Sequence, residues 1–151
     1  MIPQSTQQLI TRWRLGHIAT VTPGGRPSVS PKGTFLVVDD TTIAFGEIRS
    51  PQTVSNLTHS PECEVNFVDA FTRKGARLRG TGEMVREGTA EFDALFPRFK
   101  EVWGDLCNRM NLIVKINVTE VKPLNTPLYD DGATEAEVIA LNKAKFADMY
   151  P

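Results

Sequence analysis

The stretch RPSVSPKGTFLVVDDTTIAFGEIRSPQTVSNLTHSPECEVNF, residues Arg26 to Phe67, decides the fold. Pro27 to Lys32 reads as a strand broken by Pro31 and Gly33. Proline cannot donate to a ladder, so Pro31 marks a sheet edge or a bulge. Phe35-Leu36-Val37-Val38 resumes the strand, Asp39-Asp40 turns it, and Thr42-Ile43-Ala44-Phe45-Gly46 returns. Ser50 then stands at the N-cap of a helix, with Pro51 at the first helical position, where its missing amide costs nothing. Val54 and Leu57 anchor this helix of one or two turns, and Ser60-Pro61 stops it. Cys63 to Val68 alternates as the next strand.

Working outward, residues 6–14 predict a short amphipathic helix with Leu9, Ile10 and Trp13 on one face. Ser5-Thr6-Gln7-Gln8 predicts a capping box at its start, and Gly16 its end. His17 to Thr22 and the turn Pro23-Gly24-Gly25 predict a strand and a hairpin. Downstream, Ala76–Val85 and Leu112–Val121 alternate as strands. Phe92, Leu95, Phe96, Phe99, Val102 and Trp103 recur at helical spacing over residues 89–103, with Pro97 predicting a kink or two consecutive helices. A second capping box, Thr134-Glu135-Ala136-Glu137, opens a closing helix over about residues 135–148. Its thin stripe of Val138, Ile139 and Phe146 suits docking on a surface or a partner subunit. About six strands at hairpin-like spacing predict a mainly β fold, an antiparallel barrel with a few peripheral helices. Residues 1–151 are expected to form a single domain, with 124–151 as a C-terminal tail and helix.

Composition narrows the function. The 151 residues carry a net charge of -1 and a pI near 6.1, without the basic surface of a nucleic-acid or anionic-membrane binder. Aromatic residues are 8% of the chain, few for the stacking platforms that bind single strands. No apolar run is long enough to span a membrane, and the N-terminus lacks a signal-peptide core, so a cytoplasmic location is expected. Cys63 and Cys107 are read as buried or half-buried thiols. His17 and His59 have no spaced carboxylate or cysteine partners, so no metal site is expected.

Two segments carry candidate chemistry. At Arg49-Ser50-Pro51-Gln52-Thr53, free helix amides, two hydroxyls and a guanidinium could hold a phosphate; the same pattern also serves an ordinary capped helix. At Ser30-Pro31-Lys32-Gly33 the disturbed strand reads as an edge bulge or as a bed for a flat ligand. Strands joined through Asp39-Asp40 would bring Lys32 and Arg49 toward one sheet end.

Gly25 to Gly33, then Ser50 to Leu57, then Ser60 to Phe67, and finally Arg77-Leu78-Arg79-Gly80-Thr81-Gly82-Glu83 together resemble the FMN-binding split-barrel family. That family includes pyridoxamine 5'-phosphate oxidase and small bacterial flavoproteins. The likeness covers roughly residues 8–123, and it rests on the order and spacing of four motifs rather than on any one of them. It implies a six-stranded antiparallel split β-barrel, and a homodimer with FMN in clefts at the subunit interface. It also implies that Lys32, Arg49, Ser50, Gln52 and Thr53 bind the phosphate side and that Ser30, Pro31 and Gly33 lie along the ring side, with Gly46 where the strand approaches the cofactor. The flavin would supply the redox chemistry, so no catalytic residue is nominated. Pro51-Gln52 replaces the basic pair that follows the serine in pyridoxamine phosphate oxidases. The chain also ends in Phe146-Ala147-Asp148-Met149-Tyr150-Pro151 rather than in an arginine-rich segment. Both departures argue against pyridoxamine phosphate as substrate. The expected function is an FMN-dependent oxidoreductase fed by a nicotinamide or similar donor, with an FMN-binding electron carrier as the alternative.

Overall fold

The computed structural model describes residues Met1–Pro151. Seven antiparallel strands form one sheet in the order β2-β1-β5-β6-β7-β4-β3. They are β1 (Gly16–Val21), β2 (Pro27–Lys32), β3 (Phe35–Val37), β4 (Thr42–Glu47), β5 (Glu62–Val68), β6 (Gly75–Val85) and β7 (Leu112–Leu124). Four α-helices surround them: α1 (Gln4–Trp13), α2 (Pro51–His59), α3 (Ala90–Trp103) and α4 (Glu135–Met149). The expected six strands become seven because Gly33-Thr34 is a corner and not a bulge within one strand. β2 and β3 are the two edges of the sheet, yet only these two residues separate them. Their ends can lie at most roughly 11 Å apart, so the sheet curls until its edges meet at this corner. The Thr34 hydroxyl ties the corner down, donating to the Gly46 carbonyl at 2.8 Å and accepting from its amide at 3.1 Å.

Pro31 does lie on an edge. Thr22 N donates to Arg26 O at 2.9 Å, and bonded pairs recur every second residue in an antiparallel ladder. The register then makes Thr20–Ser28, Ile18–Ser30 and Gly16–Lys32 the bonded pairs. Pro27, Val29 and Pro31 therefore turn their nitrogens to the open edge, where a missing donor breaks no ladder bond. The true ladder irregularity falls on the β6–β7 pairing, between Arg79 and Gly80.

The inside of the curl is filled by an apolar cluster around Ile18, Phe35, Phe45, Phe67, Leu78 and Val114. Phe35 packs edge-on against Phe67 and Phe45, with centroids 4.8 and 5.4 Å away. Gly16 has no space for a side chain: a Cβ there would stand 2.6 Å from Phe67 and 2.7 Å from Phe35. A second cluster lies on the outer face, where Phe92, Leu95 and Phe99 of α3 cover Leu36, Ala44 and Ile113. Covered on both sides, β4 is buried along its whole length.

Three helix expectations need correction. α1 begins at Gln4 with Pro3 before it, so Ser5 lies inside the first turn and caps nothing. Buried Ile2, whose amide donates to Asp40 O, pins the chain early enough to start the helix there. Arg14, in the left-handed region at φ 52°, ends the helix, and Gly16 already belongs to β1. α3 is one helix through Pro97 and not two consecutive ones, with Leu95 and Phe99 buried on either side of the proline. α4 carries the full capping box at Thr134 and Glu137. It docks on its own chain, through buried Val138, through Asn142 Nδ2 donating to Phe71 O at 2.9 Å, and through Phe146 at 5.2 Å from the Phe71 ring. The segment before it forms a single 3₁₀ turn at Pro127–Tyr129, whose Tyr129 hydroxyl donates to Thr72 O at 2.6 Å.

Both cysteines are free and buried. Burial, with Glu62 and Glu64 nearby, pushes the Cys63 thiol up to about 12, so it stays an unreactive thiol at neutral pH. No helix is long and apolar enough to cross a membrane.

Candidate functional site

Alternation along β2 sends Ser28, Ser30 and Lys32 to one face and Val29 and Pro31 to the other. In register with them on β1 are Thr20, Ile18 and Gly16, whose side of the sheet faces the interior. Lys32 is thus a buried lysine, 5% exposed. Its Nζ donates to Ser30 Oγ, lies 3.4 Å from Pro31 O, and sits 5.8 Å from the Phe45 ring centroid. Burial holds its pKa below the ordinary lysine value, and the negative charge of Glu47 offsets part of that. A cation kept in so dry a place needs a fixed anionic neighbour.

Glu47 supplies negative charge nearby but makes no ion pair with Lys32. It ends β4 at 4% exposure; Oε1 accepts from the Ser50 amide, and Oε2 accepts from Asn111 Nδ2 at 3.0 Å. Asn111 also donates to Ile48 O at 3.0 Å. This brace shapes the turn into α2. Ser50 occupies the N-cap with Pro51 following, but its side chain makes no capping bond. The first bonded amide of the helix is that of Val54, which donates to Ser50 O at 3.3 Å. The Gln52 and Thr53 amides therefore point out of the helix start without an acceptor in the chain. Thr53 is buried, and its hydroxyl likewise makes no hydrogen bond; since every sealed side-chain polar atom has a partner, that hydroxyl retains accessible surface.

A second polar chain fixes α2 against the sheet. Gln52 Nε2 donates to Asn56 Oδ1 at 2.7 Å, and Asn56 Nδ2 donates to Thr20 Oγ1 at 3.0 Å. Asn56 and Thr20 are both buried, so α2 cannot turn about its axis without breaking a bond that water does not replace.

The structure bonds Lys32 to Ser30 and to the Pro31 carbonyl, bonds Ser50 to Glu47, and places Gln52 and Thr53 on the adjoining helix turn; Glu47 acts on Lys32 through its charge, without an ion pair. It does not gather the Pro31 ring, Gly33 or Arg49 into these bonded groups. The Pro31 side chain is exposed on the opposite face of β2, Gly33 is exposed at the corner, and Arg49 is exposed with no hydrogen bond or ion pair. Gly46 is buried, and the room left by its missing Cβ is taken by the Met110 thioether. Sequence reasoning missed Glu47, Asn111, Asn56 and Thr20. For Glu47 a signal existed: alternation puts it on the same inward face of β4 as Ile43 and Phe45.

These groups suit a phosphomonoester. Lys32, two free helix amides and the Thr53 hydroxyl supply donors to an anion, and the exposed Arg49 guanidinium adds a mobile charge. The larger concavities of the single chain are not lined by these groups. Concavities of about 380 and 560 Å³ lie instead beside α1 and beside α4.

Residues 2–126 match the family model described as pyridoxamine 5'-phosphate oxidase. No curated protein matches the sequence significantly. Among solved structures, HupZ of Group A Streptococcus is 29% identical, with a TM-score of 0.71 covering 83% of this chain and 96% of that one. Two more distant structures share the fold. An FMN-binding protein of Syntrophomonas wolfei is 13% identical, with a TM-score of 0.67 covering 80% of this chain and 84% of that one. The heme storage protein HutZ of Vibrio cholerae is 15% identical, with a TM-score of 0.68 covering 81% of this chain and 94% of that one. With the family model spanning all seven strands and the curled topology beneath it, the chain belongs to the pyridoxamine 5'-phosphate oxidase family of FMN-binding split barrels.

Proposed function

We propose that this protein binds FMN and works as an oxidoreductase on a small molecule. The observation that carries the reading is buried Lys32 beside a helix start whose amides are left open. In this arrangement Lys32, the Gln52 and Thr53 amides and Thr53 Oγ1 hold the phosphate, with Arg49 closing from the solvent side. Ser30 and the β2 backbone up to Gly33 lie along the ring, and Glu47 fixes the turn that aims the amides. The flavin supplies the electron chemistry; the chain binds it, orients it and limits water around it. A second copy of the chain would cover the cofactor, so the active form is proposed to be a homodimer, located in the cytoplasm.

The alternative is an FMN-binding electron carrier with no substrate of its own. It is favoured by the make-up of the site, in which Lys32 and Glu47 are the only buried titratable side chains and each is engaged by neighbours. His17 and His59 are both exposed elsewhere.

The absorbance spectrum of the purified protein after incubation with FMN tests cofactor binding. A bound flavin spectrum is expected; its absence, or a heme spectrum of the kind the name of HutZ suggests, would sink the reading. Anaerobic addition of NADH or NADPH then separates enzyme from carrier, with rapid bleaching expected of the enzyme. Sedimentation should give a mass of two chains.

A further inference from the structure

We propose that the chain carries a second binding site, for a small zwitterion of amino-acid type, in the cavity between α1, the β5–β6 connection and the start of α4. The cavity measures about 380 Å³, enough for a small metabolite. Six of its lining residues carry the argument: Thr6 and Arg12 of α1, Asp69, Thr72 and Lys74 of the connection, and Glu135 of α4. None of them belongs to the groups around Lys32, Glu47 and Ser50. Glu135 also lies beyond residue 126, where the family match ends, so one wall comes from a segment outside that match.

Asp69 decides the chemistry. It is 4% exposed, and its Oδ1 accepts from the amides of Phe71 at 2.8 Å and Thr72 at 3.2 Å. Its Oδ2 accepts from nothing in the chain. Every side-chain oxygen or nitrogen sealed from solvent has a hydrogen-bond partner, so the little surface Asp69 retains includes Oδ2, and Asp69 lines this cavity. A carboxylate oxygen that is nearly buried and unbonded calls for a cationic donor. The Thr6 hydroxyl, on a residue 6% exposed, is unbonded and accessible by the same reasoning.

The cations of the lining divide in two. Lys74 is committed, with Nζ donating to Glu135 Oε2 at 2.6 Å and lying 5.1 Å from the Tyr129 ring centroid. Arg12 makes no ion pair or hydrogen bond in the chain. One free carboxylate oxygen and one free guanidinium therefore remain in a lining whose formal charges cancel, Arg12 and Lys74 against Asp69 and Glu135. A ligand with a single charge would answer one of the two free groups and upset that balance. An ammonium and a carboxylate on one small molecule answer both.

The test is an NMR titration of the isotope-labelled full chain with L-alanine, which carries the two charged groups and little else, and separately with ethylamine and with propionate. Alanine is expected to shift the amides of residues 69–75 and of α1 saturably, and to bind at least about tenfold tighter than either single-charge probe. Asp69→Asn keeps an oxygen for the Phe71 and Thr72 amides but removes the charge, and it should weaken alanine binding at least about tenfold. Arg12→Gln, on an exposed helix position, should do the same. The proposal fails if alanine gives no saturable shift, if either single-charge probe binds as well, or if the variants bind alanine like the parent chain. Should Asp69→Asn not fold, Arg12→Gln alone decides the outcome.

Discussion

Helix α2 starts at Ser50 and helix α4 at Thr134, and in both a hydroxyl residue stands where a helix is usually capped. At α4 the cap closes on itself. Thr134 Oγ1 accepts from the Glu137 amide at 3.2 Å, and Glu137 Oε2 accepts from the Thr134 amide at 2.8 Å. At α2 the serine side chain bonds to nothing. The acceptor is Glu47, which reaches in from the preceding strand to the Ser50 amide and leaves the next two amides free. Equal cap residues thus lead to opposite results: a helix end that is finished within the chain, and one that is braced from behind and left open in front. The second is the kind of helix end that a ligand completes.

The contrast can be broken by mutation, beginning with the brace. Glu47→Ala strands the Ser50 amide, removes one of the two acceptors of Asn111 Nδ2 and takes away the negative charge that favours protonated Lys32. A loss of about 2–3 kcal/mol in urea denaturation is expected, and a loss smaller than that of Thr134→Ala would show that Glu47 does not hold the turn. Arg49→Ala should weaken FMN binding by about 1.5–3 kcal/mol, the scale of a charge-assisted bond, while leaving stability unchanged; unaltered affinity would refute the phosphate placement.

A smaller effect follows from pH. The folded chain protonates Lys32 less readily than the unfolded chain does. Between the lowered value and the ordinary lysine value the unfolded state binds more protons, so stability rises with pH across that window. Affinity for FMN should move the other way, falling by about 1–1.5 kcal/mol across that window as the charged donor becomes a neutral one, while riboflavin, which lacks the phosphate, should lose less. A parallel loss of riboflavin affinity would place Lys32 away from the phosphate.

Thr134→Ala should cost about 1 kcal/mol of stability and leave FMN affinity alone. Ser50→Ala should cost less than about 0.5 kcal/mol, because its hydroxyl caps nothing. If calorimetry showed the two substitutions to be equally costly, the two helix ends would not differ as described.

What could be read from the sequence was local. Ser50-Pro51 marks a helix start from its own chemistry, Pro31 marks an edge, and Thr134 with Glu137 marks a cap, all within a few residues. What could not be read depends on the curl of the sheet. Gly33-Thr34 looks like a defect in one strand until the two edges of the sheet are known to meet there. Glu47 reads as a polar strand end until Asn111, from far along the chain, is found beside it. The Asn56–Thr20 bond joins residues 36 apart in sequence, and no pattern within α2 announces it. Arg49 shows the opposite limit: its sequence position marks it clearly, but in the single chain its side chain is held by nothing.

The edge formed by β2 also limits how another strand can pair with this sheet. Of the three nitrogens that face outward, those of Pro27 and Pro31 carry no hydrogen, so Val29 is the one donor an incoming strand would find. A strand laid along this edge would leave two of its own carbonyls unpaired, and such a cost discourages the runaway stacking by which exposed edges build fibrils. Any neighbour that settles here must arrive side chain first, against Val29 at 66% exposure and Val21 at 40%, rather than by extending the ladder. The prolines that interrupt the sequence pattern act as a guard rail, keeping this edge from extending its ladder into another chain.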